Sequence, residues 1–236
     1  MKRAADVETA RLVAAVDYSE ALTITATEQD VRDACVTAAK YGFRAVVAFP
    51  QHLPILAEAT AGTPVLAQIP VGFPCGGTTT WVKCREAEQG LQAGATDLDM
   101  VMNVSAFKAG DYARVADDIA QVLSVAKPFG VPFKVIVETG VLNDKEKAAA
   151  ARLVADSGAT HVKTCTGFGP GRATVHDIAL LKDAVGDRIG IKASGGVASI
   201  EDGIALMRAG ATVVALRRGL VDQLETVGWE GGRADG

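Results

Sequence analysis

Aromatic side chains are scarce in this chain: seven Phe, three Tyr and two Trp among 236 residues. That disfavours a sandwich of aromatic-rich strands, whereas abundant Ala, Val and Gly suit helices packed closely on strands. The four cysteines, Cys35, Cys75, Cys84 and Cys165, form no CxxC pair and no regular framework. Reduced thiols in a cytoplasmic protein are the expectation. No apolar stretch reaches 18 residues, so no membrane-spanning segment is expected. The opening MKRAADVETARLVAAVD carries Asp6 and Glu8 where a signal peptide would carry its apolar run. Basic charge is also in short supply. The formal net charge is −4, and no Lys/Arg cluster is longer than Arg217-Arg218, which argues against a nucleic-acid partner. A small anionic substrate stays compatible, because a local pocket can be basic on an acidic protein. Finally, His52, His161 and His176 stand apart, with no HxH or HExxH spacing, so no metal site is expected.

What is present is an alternation of short β-branched runs and longer Ala-rich runs. Strands are predicted at Leu12–Val16, Ala45–Phe49, Pro64–Val71, Asp97–Val104, Phe133–Glu138, His161–Lys163, Ile189–Ala193 and Thr212–Leu216. Helical patterns fall between them at Glu28–Lys40, Leu53–Ala59, Thr79–Ala93, Tyr112–Ala126, Asp144–Asp156, Val175–Val185 and Ile200–Arg208. Thr27 before Glu28 and Asp30, and Asn143 before Asp144 and Glu146, carry helix-start chemistry. The steps Ala93-Gly94-Ala95, Ser157-Gly158-Ala159 and Ala209-Gly210-Ala211 read as helix ends leading into buried strands. Eight strands alternating with helices predict an α/β fold, a TIM (β/α)8 barrel in a single catalytic domain over residues 1–228. The rival, a doubly wound open sheet, usually shows GxGxxG after its first strand; here that position reads Asp17-Tyr18-Ser19. Residues 229–236 are polar and Gly-rich, a flexible C-terminal tail by expectation.

In such a barrel the chemistry projects from the C-terminal ends of the strands. Asp17 ends strand one, Asp97, Asp99 and Asn103 share one face of strand four, Glu138 ends strand five, Lys163 strand six and Lys192 strand seven. Five strands bringing acids and lysines to one rim are hard to explain as surface. Two lysines at adjacent strand ends suggest imine chemistry. An amine attacks a carbonyl only when neutral, and burial beside a second cation lowers its pKa. Asp99 is placed to relay protons through water during carbinolamine formation and carbon–carbon cleavage. The plainer alternative is a set of structural salt bridges joining Lys163 and Lys192 to Asp99 and Glu138. Glycines add an expected anion site: Thr166-Gly167-Phe168-Gly169 follows strand six, Ser194-Gly195-Gly196 strand seven and Arg217-Arg218-Gly219 strand eight. Cys165, without a basic partner, reads as packing.

These same segments carry a resemblance. Val71-Gly72-Phe73-Pro74, Gly94-Ala95-Thr96-Asp97-Leu98-Asp99-Met100-Val101-Met102-Asn103, Lys134-Val135-Ile136-Val137-Glu138-Thr139, Val162-Lys163-Thr164-Cys165-Thr166-Gly167-Phe168 and Lys192-Ala193-Ser194-Gly195-Gly196-Val197 occur in one order. Together, from about Asp17 to Gly219, they resemble the deoxyribose-phosphate aldolase family. The resemblance implies Lys163 as the Schiff-base lysine, Lys192 as the lysine that perturbs it and Asp99 as the proton-relay acid. It places Thr166, Gly167, Gly195 and Gly196 near substrate. It implies reversible cleavage of 2-deoxyribose 5-phosphate to glyceraldehyde 3-phosphate and acetaldehyde, without metal or organic cofactor. The rim departs from the family pattern. Asp17-Tyr18-Ser19-Glu20 stands where Asp-His-Thr is usual, and Ala215-Leu216-Arg217-Arg218-Gly219 replaces Gly-Thr-Ser-Ser-Gly, an altered phosphate loop. Asp17, Arg217 and Arg218 are therefore taken as candidate substrate-binding residues. Val47-Ala48-Phe49-Pro50-Gln51-His52 also departs. Two other readings stay open: a related Schiff-base aldolase or thiolase-like transferase on another anionic substrate, and a non-catalytic barrel that binds a sugar phosphate. The expected partner is a small sugar phosphate or aldehyde, and the expected assembly a homodimer or homotetramer.

Overall fold

The structure is a computed structural model that describes residues 2–229. Its order begins with helix α1 (Lys2–Ala14), strand β1 (Val16–Tyr18), α2 (Glu28–Tyr41), β2 (Ala45–Val47), α3 (Leu53–Thr60), β3 (Leu66–Val71), α4 (Thr80–Gln92) and β4 (Asp97–Val101). It continues through α5 (Val104–Lys108), α6 (Tyr112–Ala126), β5 (Phe133–Ile136), α7 (Asp144–Ser157), β6 (His161–Lys163), α8 (Val175–Val185), β7 (Gly190–Ala193), α9 (Ile200–Arg208), β8 (Val213–Leu216) and α10 (Arg218–Thr226). Each strand pairs in parallel with the next, and β8 returns to β1 with Asp17 opposite Ala215. The sheet closes, as expected for eight parallel strands joined by crossover helices.

Local chemistry starts and stops the helices where the sequence signals it. Thr27 accepts from Asp30 N–H while Asp30 reaches back to the Thr27 backbone, and Asn143 and Glu146 form the same reciprocal cap. Gly42 and Gly158 end α2 and α7 at φ 78° and 87°, a left-handed turn that glycine adopts without steric cost. The helices then bury one face against the barrel. On α6 that face is Val115, Ile119 and Val122, each fully buried and each contributing about 1.5–3 kcal/mol by leaving water. Beneath the same helix, Lys83 and Asp118 are buried and paired at 2.6 Å, and Lys83 also donates to Val101 O at 2.9 Å. Truncating either partner would strand a charge between α4 and α6.

Three readings of the sequence are corrected. Leu12 and Val13 belong to α1, and the first strand begins at Val16; the apolar run Leu-Val-Ala-Ala-Val fits helix or strand by length, and the Ala- and Glu-containing stretch before it favours helix. Strand four stops at Val101, so Asn103 does not share the face of Asp97 and Asp99; its side chain caps α5 by accepting from Ala106 N–H at 3.0 Å. The segment from Arg218 opens α10, which was expected as a loop. Of the expected tail, Trp229 packs against the core, and residues 230–236 lie outside the described residues. Among the described residues no helix is long and apolar enough to cross a membrane.

Candidate active site

Barrels of this type are ordinarily filled by layers of branched apolar side chains. Here the register brings charge inward instead. Asp99 lies opposite Lys134 across β4 and β5, and Lys163 lies opposite Lys192 across β6 and β7. Asp17, Gln68, Asp97, Asp99, Lys134 and Lys192 are all fully buried. Such a cluster persists only when its charges are paired, and every carboxylate in the network has a cationic partner, although Asp17 Oδ2 meets Lys192 as an ion pair without a hydrogen bond. Asp97 receives Lys134 and, at 2.5 Å, Arg44. Arg44 also donates to Asp17 Oδ1 at 2.7 Å, and Lys192 contacts the other Asp17 oxygen. Asp99 Oδ1 accepts from Gln68 at 3.1 Å and faces Lys134 at 3.1 Å. Its second oxygen, Oδ2, takes Lys163 Nζ at 2.8 Å and Lys192 Nζ at 2.6 Å. Gln68 Oε1 accepts from Lys192 as well, at 2.9 Å.

The electrostatics follow from this packing. Four side chains able to be cationic (Arg44, Lys134, Lys163, Lys192) surround three carboxylates (Asp17, Asp97, Asp99), so one uncharged lysine balances the cluster. Burial, opposed by Asp17 and Asp99 and reinforced by Lys163 and Lys134, pulls Lys192 down to about 8. Burial raises the Asp99 carboxyl, but Lys134, Lys163 and Lys192 together outweigh it and hold Asp99 well below the usual carboxylate range. Asp17 is likewise held at about 2, burial being overcome by Lys192, Arg44 and Lys134. Asp99 is thus an anion that two amines share.

Above the network opens a cavity of about 280 Å³. Its lining includes Lys163, Thr166, Gly167, Ser194, Gly195, Gly196, Ser19 and Arg217. Lys163 alone of the three proposed catalytic side chains is in that lining; Asp99 and Lys192 lie beneath it. Gly167, Gly195 and Gly196 have φ of 81°, 99° and 67°, backbone that a side chain would strain, and they leave the rim open to a ligand. Arg217 stands at the start of α10 with Nη2 donating to Leu22 O at 3.4 Å.

Comparison with known proteins is consistent with this geometry. The model of the DeoC/LacD family of aldolases matches residues 11–226. The chain belongs to that family. A deoxyribose-phosphate aldolase of Aciduliprofundum boonei is 42% identical over 202 residues, covering 86% of this chain and 90% of its own length. One from Carboxydothermus hydrogenoformans is 39% identical, covering 91% and 94%. A solved deoxyribose-phosphate aldolase from Aeropyrum pernix, described as having a unique tetrameric structure, superposes with a TM-score of 0.85 at 28% identity, covering 97% of this chain and 99% of its own.

In this family member the structure brings Lys163, Lys192 and Asp99 into direct contact and groups Thr166, Gly167, Gly195, Gly196 and Arg217 around one cavity. It sets two expected substrate contacts apart. Asp17 is buried beneath the cavity and spends its oxygens on Arg44 and Lys192. Arg218 is 68% exposed and turns to Asp222 at 3.5 Å. Its backbone N–H donates to the Glu20 carboxylate at 2.9 Å, so a side chain of the chain itself occupies the first donor of α10. Glu138 pairs with neither Lys163 nor Lys192; it holds Thr166, accepting from its N–H at 3.1 Å and its hydroxyl at 2.6 Å. The sequence set Lys134 on one face with Glu138; Lys134 joins the network, whereas Glu138 lies outside it. Sequence reasoning missed Gln68 and Arg44, and a polar Gln68 inside the otherwise apolar strand Leu66–Val71 was the available signal. Cys165 is buried, and burial first and Glu138 second push its thiol up while Thr139 opposes; packing fits it. Elsewhere, Asp144, His176 and Asp177 bring possible metal-ligand atoms within 4.8 Å of one another. Lys147 already contacts both carboxylates, at 3.2 and 2.7 Å, and the group is not part of the cavity lining.

Proposed function

We propose that the chain is a class I aldolase that forms a Schiff base at Lys163 and reversibly cleaves 2-deoxy-D-ribose 5-phosphate into glyceraldehyde 3-phosphate and acetaldehyde. One observation carries this reading: the cavity-lining amine of Lys163 shares a single carboxylate oxygen, Asp99 Oδ2, with the buried amine of Lys192. A Lys192 held near 8 has an appreciable neutral fraction close to neutrality. It can take a proton from Lys163 by way of Asp99, leaving Lys163 neutral to attack the substrate carbonyl. The carbinolamine then loses water to give an imine, with the protonated Lys192 supplying the proton through the same oxygen. Cleavage of the bond between the second and third substrate carbons sends its electron pair toward the protonated imine to give an enamine, while a base removes the hydroxyl proton of the departing aldehyde. Protonation of the enamine carbon and hydrolysis release acetaldehyde and restore the amine. In the same cavity as Lys163, the glycine backbones and Arg217 suit an anionic group.

The test is reduction with borohydride in the presence of acetaldehyde, followed by peptide mapping. The expected adduct is on Lys163; an adduct on another residue, or none, overturns the assignment. Glu20, by holding the first donor of α10, favours a second reading in which the same amine serves a differently shaped anionic sugar. Comparing turnover of 2-deoxyribose 5-phosphate, 2-deoxyribose and other sugar phosphates separates the two. The tetrameric relative supports a homo-oligomer, a homodimer or homotetramer. The free thiols fit a cytoplasmic setting.

A further inference from the structure

Glu138 lies two residues beyond the end of β5, in a left-handed backbone conformation at φ 56° and ψ 65°. It is the one non-glycine with positive φ among the described residues. The flanking ladder accounts for its persistence. Val137 N–H donates to Lys163 O at 3.0 Å, and Thr139 N–H donates to Thr164 O at 3.0 Å. The chain is pinned to β6 on both sides of Glu138, and the turn between those two bonds aims its side chain at the loop after β6.

Glu138 is 7% exposed and forms no ion pair among the described residues. Its Oε2 takes both the N–H and the hydroxyl of Thr166, while Oε1 is buried with no hydrogen-bond partner. A buried carboxylate without a cation and with one idle oxygen is a costly arrangement that calls for a reason. The reason lies one step further along the loop. The Thr166 hydroxyl has a single proton, and the carboxylate claims it. Both lone pairs of that oxygen are then turned to the loop, and they accept from Phe168 N–H at 3.1 Å and Gly169 N–H at 3.2 Å. Glu138 also fills the space a side chain at position 169 would need, since a Cβ there would fall 2.9 Å from its carboxyl carbon. Thr166 and Gly167 line the cavity beside Lys163.

We propose that Glu138 is a positioning residue: by fixing the direction of the Thr166 hydroxyl it holds the 166–169 loop in the shape that receives substrate, and so sets affinity rather than the reactivity of the amine. The proposal rests on the aldolase reading for its kinetic consequence, not for its structural one. Glu138→Ala should raise KM for 2-deoxyribose 5-phosphate at least tenfold, with kcat within about threefold and trapping of acetaldehyde on Lys163 retained. Glu138→Gln keeps one acceptor oxygen and should fall between Ala and the native protein. Thr166→Val should copy Glu138→Ala, and the double variant should be no worse than either single change, since both cut one chain of hydrogen bonds. A KM within twofold of native for Glu138→Ala overturns the proposal. So does a fall of kcat and trapping in step with the rise in KM, which would mean the residue supports the amine or the scaffold. If the alanine variant does not fold, Glu138→Gln and Thr166→Val decide by the same criteria. Amide exchange at Phe168 and Gly169 separates this proposal from the functional reading. Should the native protein not turn over 2-deoxyribose 5-phosphate, the substrate reading falls. Tenfold faster exchange at those two amides in Glu138→Gln would still establish the positioning role, and unchanged exchange would remove it.

Discussion

The interior of this barrel and its rim solve the same problem, holding polar groups in place, by opposite means. In the interior, strands fix Asp17, Asp97, Asp99, Lys134 and Lys192 at full burial, and each charge answers another at close range. At the rim, loops built on Gly167, Gly195 and Gly196 present mainly backbone, and the guanidinium of Arg217 stands exposed. Interior side chains sit in a low-dielectric setting where loss of one partner is felt strongly. Rim charges are screened by water and add little to stability. On the proposed function, reactivity and stability belong to one region and selectivity to the other.

Five perturbations probe that division, from the largest effect to the smallest. Lys163→Leu should reduce turnover to background and abolish borohydride trapping; residual trapping at that level would move the nucleophile elsewhere. Lys192→Leu should cut kcat by roughly 10²–10³-fold by removing the proton partner of Asp99, as read by steady-state kinetics; unchanged kcat would end the paired-amine mechanism. Asp99→Leu leaves four side chains able to be cationic around two carboxylates, and denaturant unfolding should show a loss of about 3–5 kcal/mol. Acid acts on the same region more gently. Asp17, held at about 2 against an ordinary 3.8, adds stability at pH above 4. That contribution of roughly 2 kcal/mol drains away as pH falls from 4 toward 2; unfolding curves at pH 5 and pH 3 would show it, and identical midpoints would contradict it. At the rim, Arg217→Ala should raise KM about tenfold with melting temperature unchanged, whereas Arg218→Ala, turned to solvent and Asp222, should change neither by more than twofold. Equal KM effects from the two arginines would blur the contrast between a cavity residue and a surface one.

The interior was the more legible region from sequence, and the reason is periodicity. The two-residue repeat of a strand carries Asp97 and Asp99 to one face, and neighbouring strand ends at Lys163 and Lys192 put two amines side by side. The same rule misled at Asn103, because nothing in Met-Val-Met-Asn announces that the strand has stopped and a helix cap has begun. Loops have no such repeat. Arg217 and Arg218 are adjacent in sequence yet one faces the cavity and the other the solvent, because α10 starts between them. Glu138 was visible as a charged residue ending the expected strand Phe133–Glu138, but β5 stops at Ile136, and the left-handed backbone of Glu138 depends on ladder bonds to β6 that no local pattern reports. Arg44, just before β2, gives no strand-end signal at all; its part in the network comes from reaching across to β1 and β4.

Beside Glu138, the loops after β5 and β6 touch through bare backbone. A Cβ on Gly140 would fall 2.2 Å from the Gly171 Cα, and one on Gly171 would fall 2.5 Å from the Gly140 Cα. The two segments are therefore a matched pair: a methyl group on either position forces them apart. Anyone reshaping this enzyme for new aldehydes by randomising loops should keep both glycines together, or exchange the two loops as a single cassette.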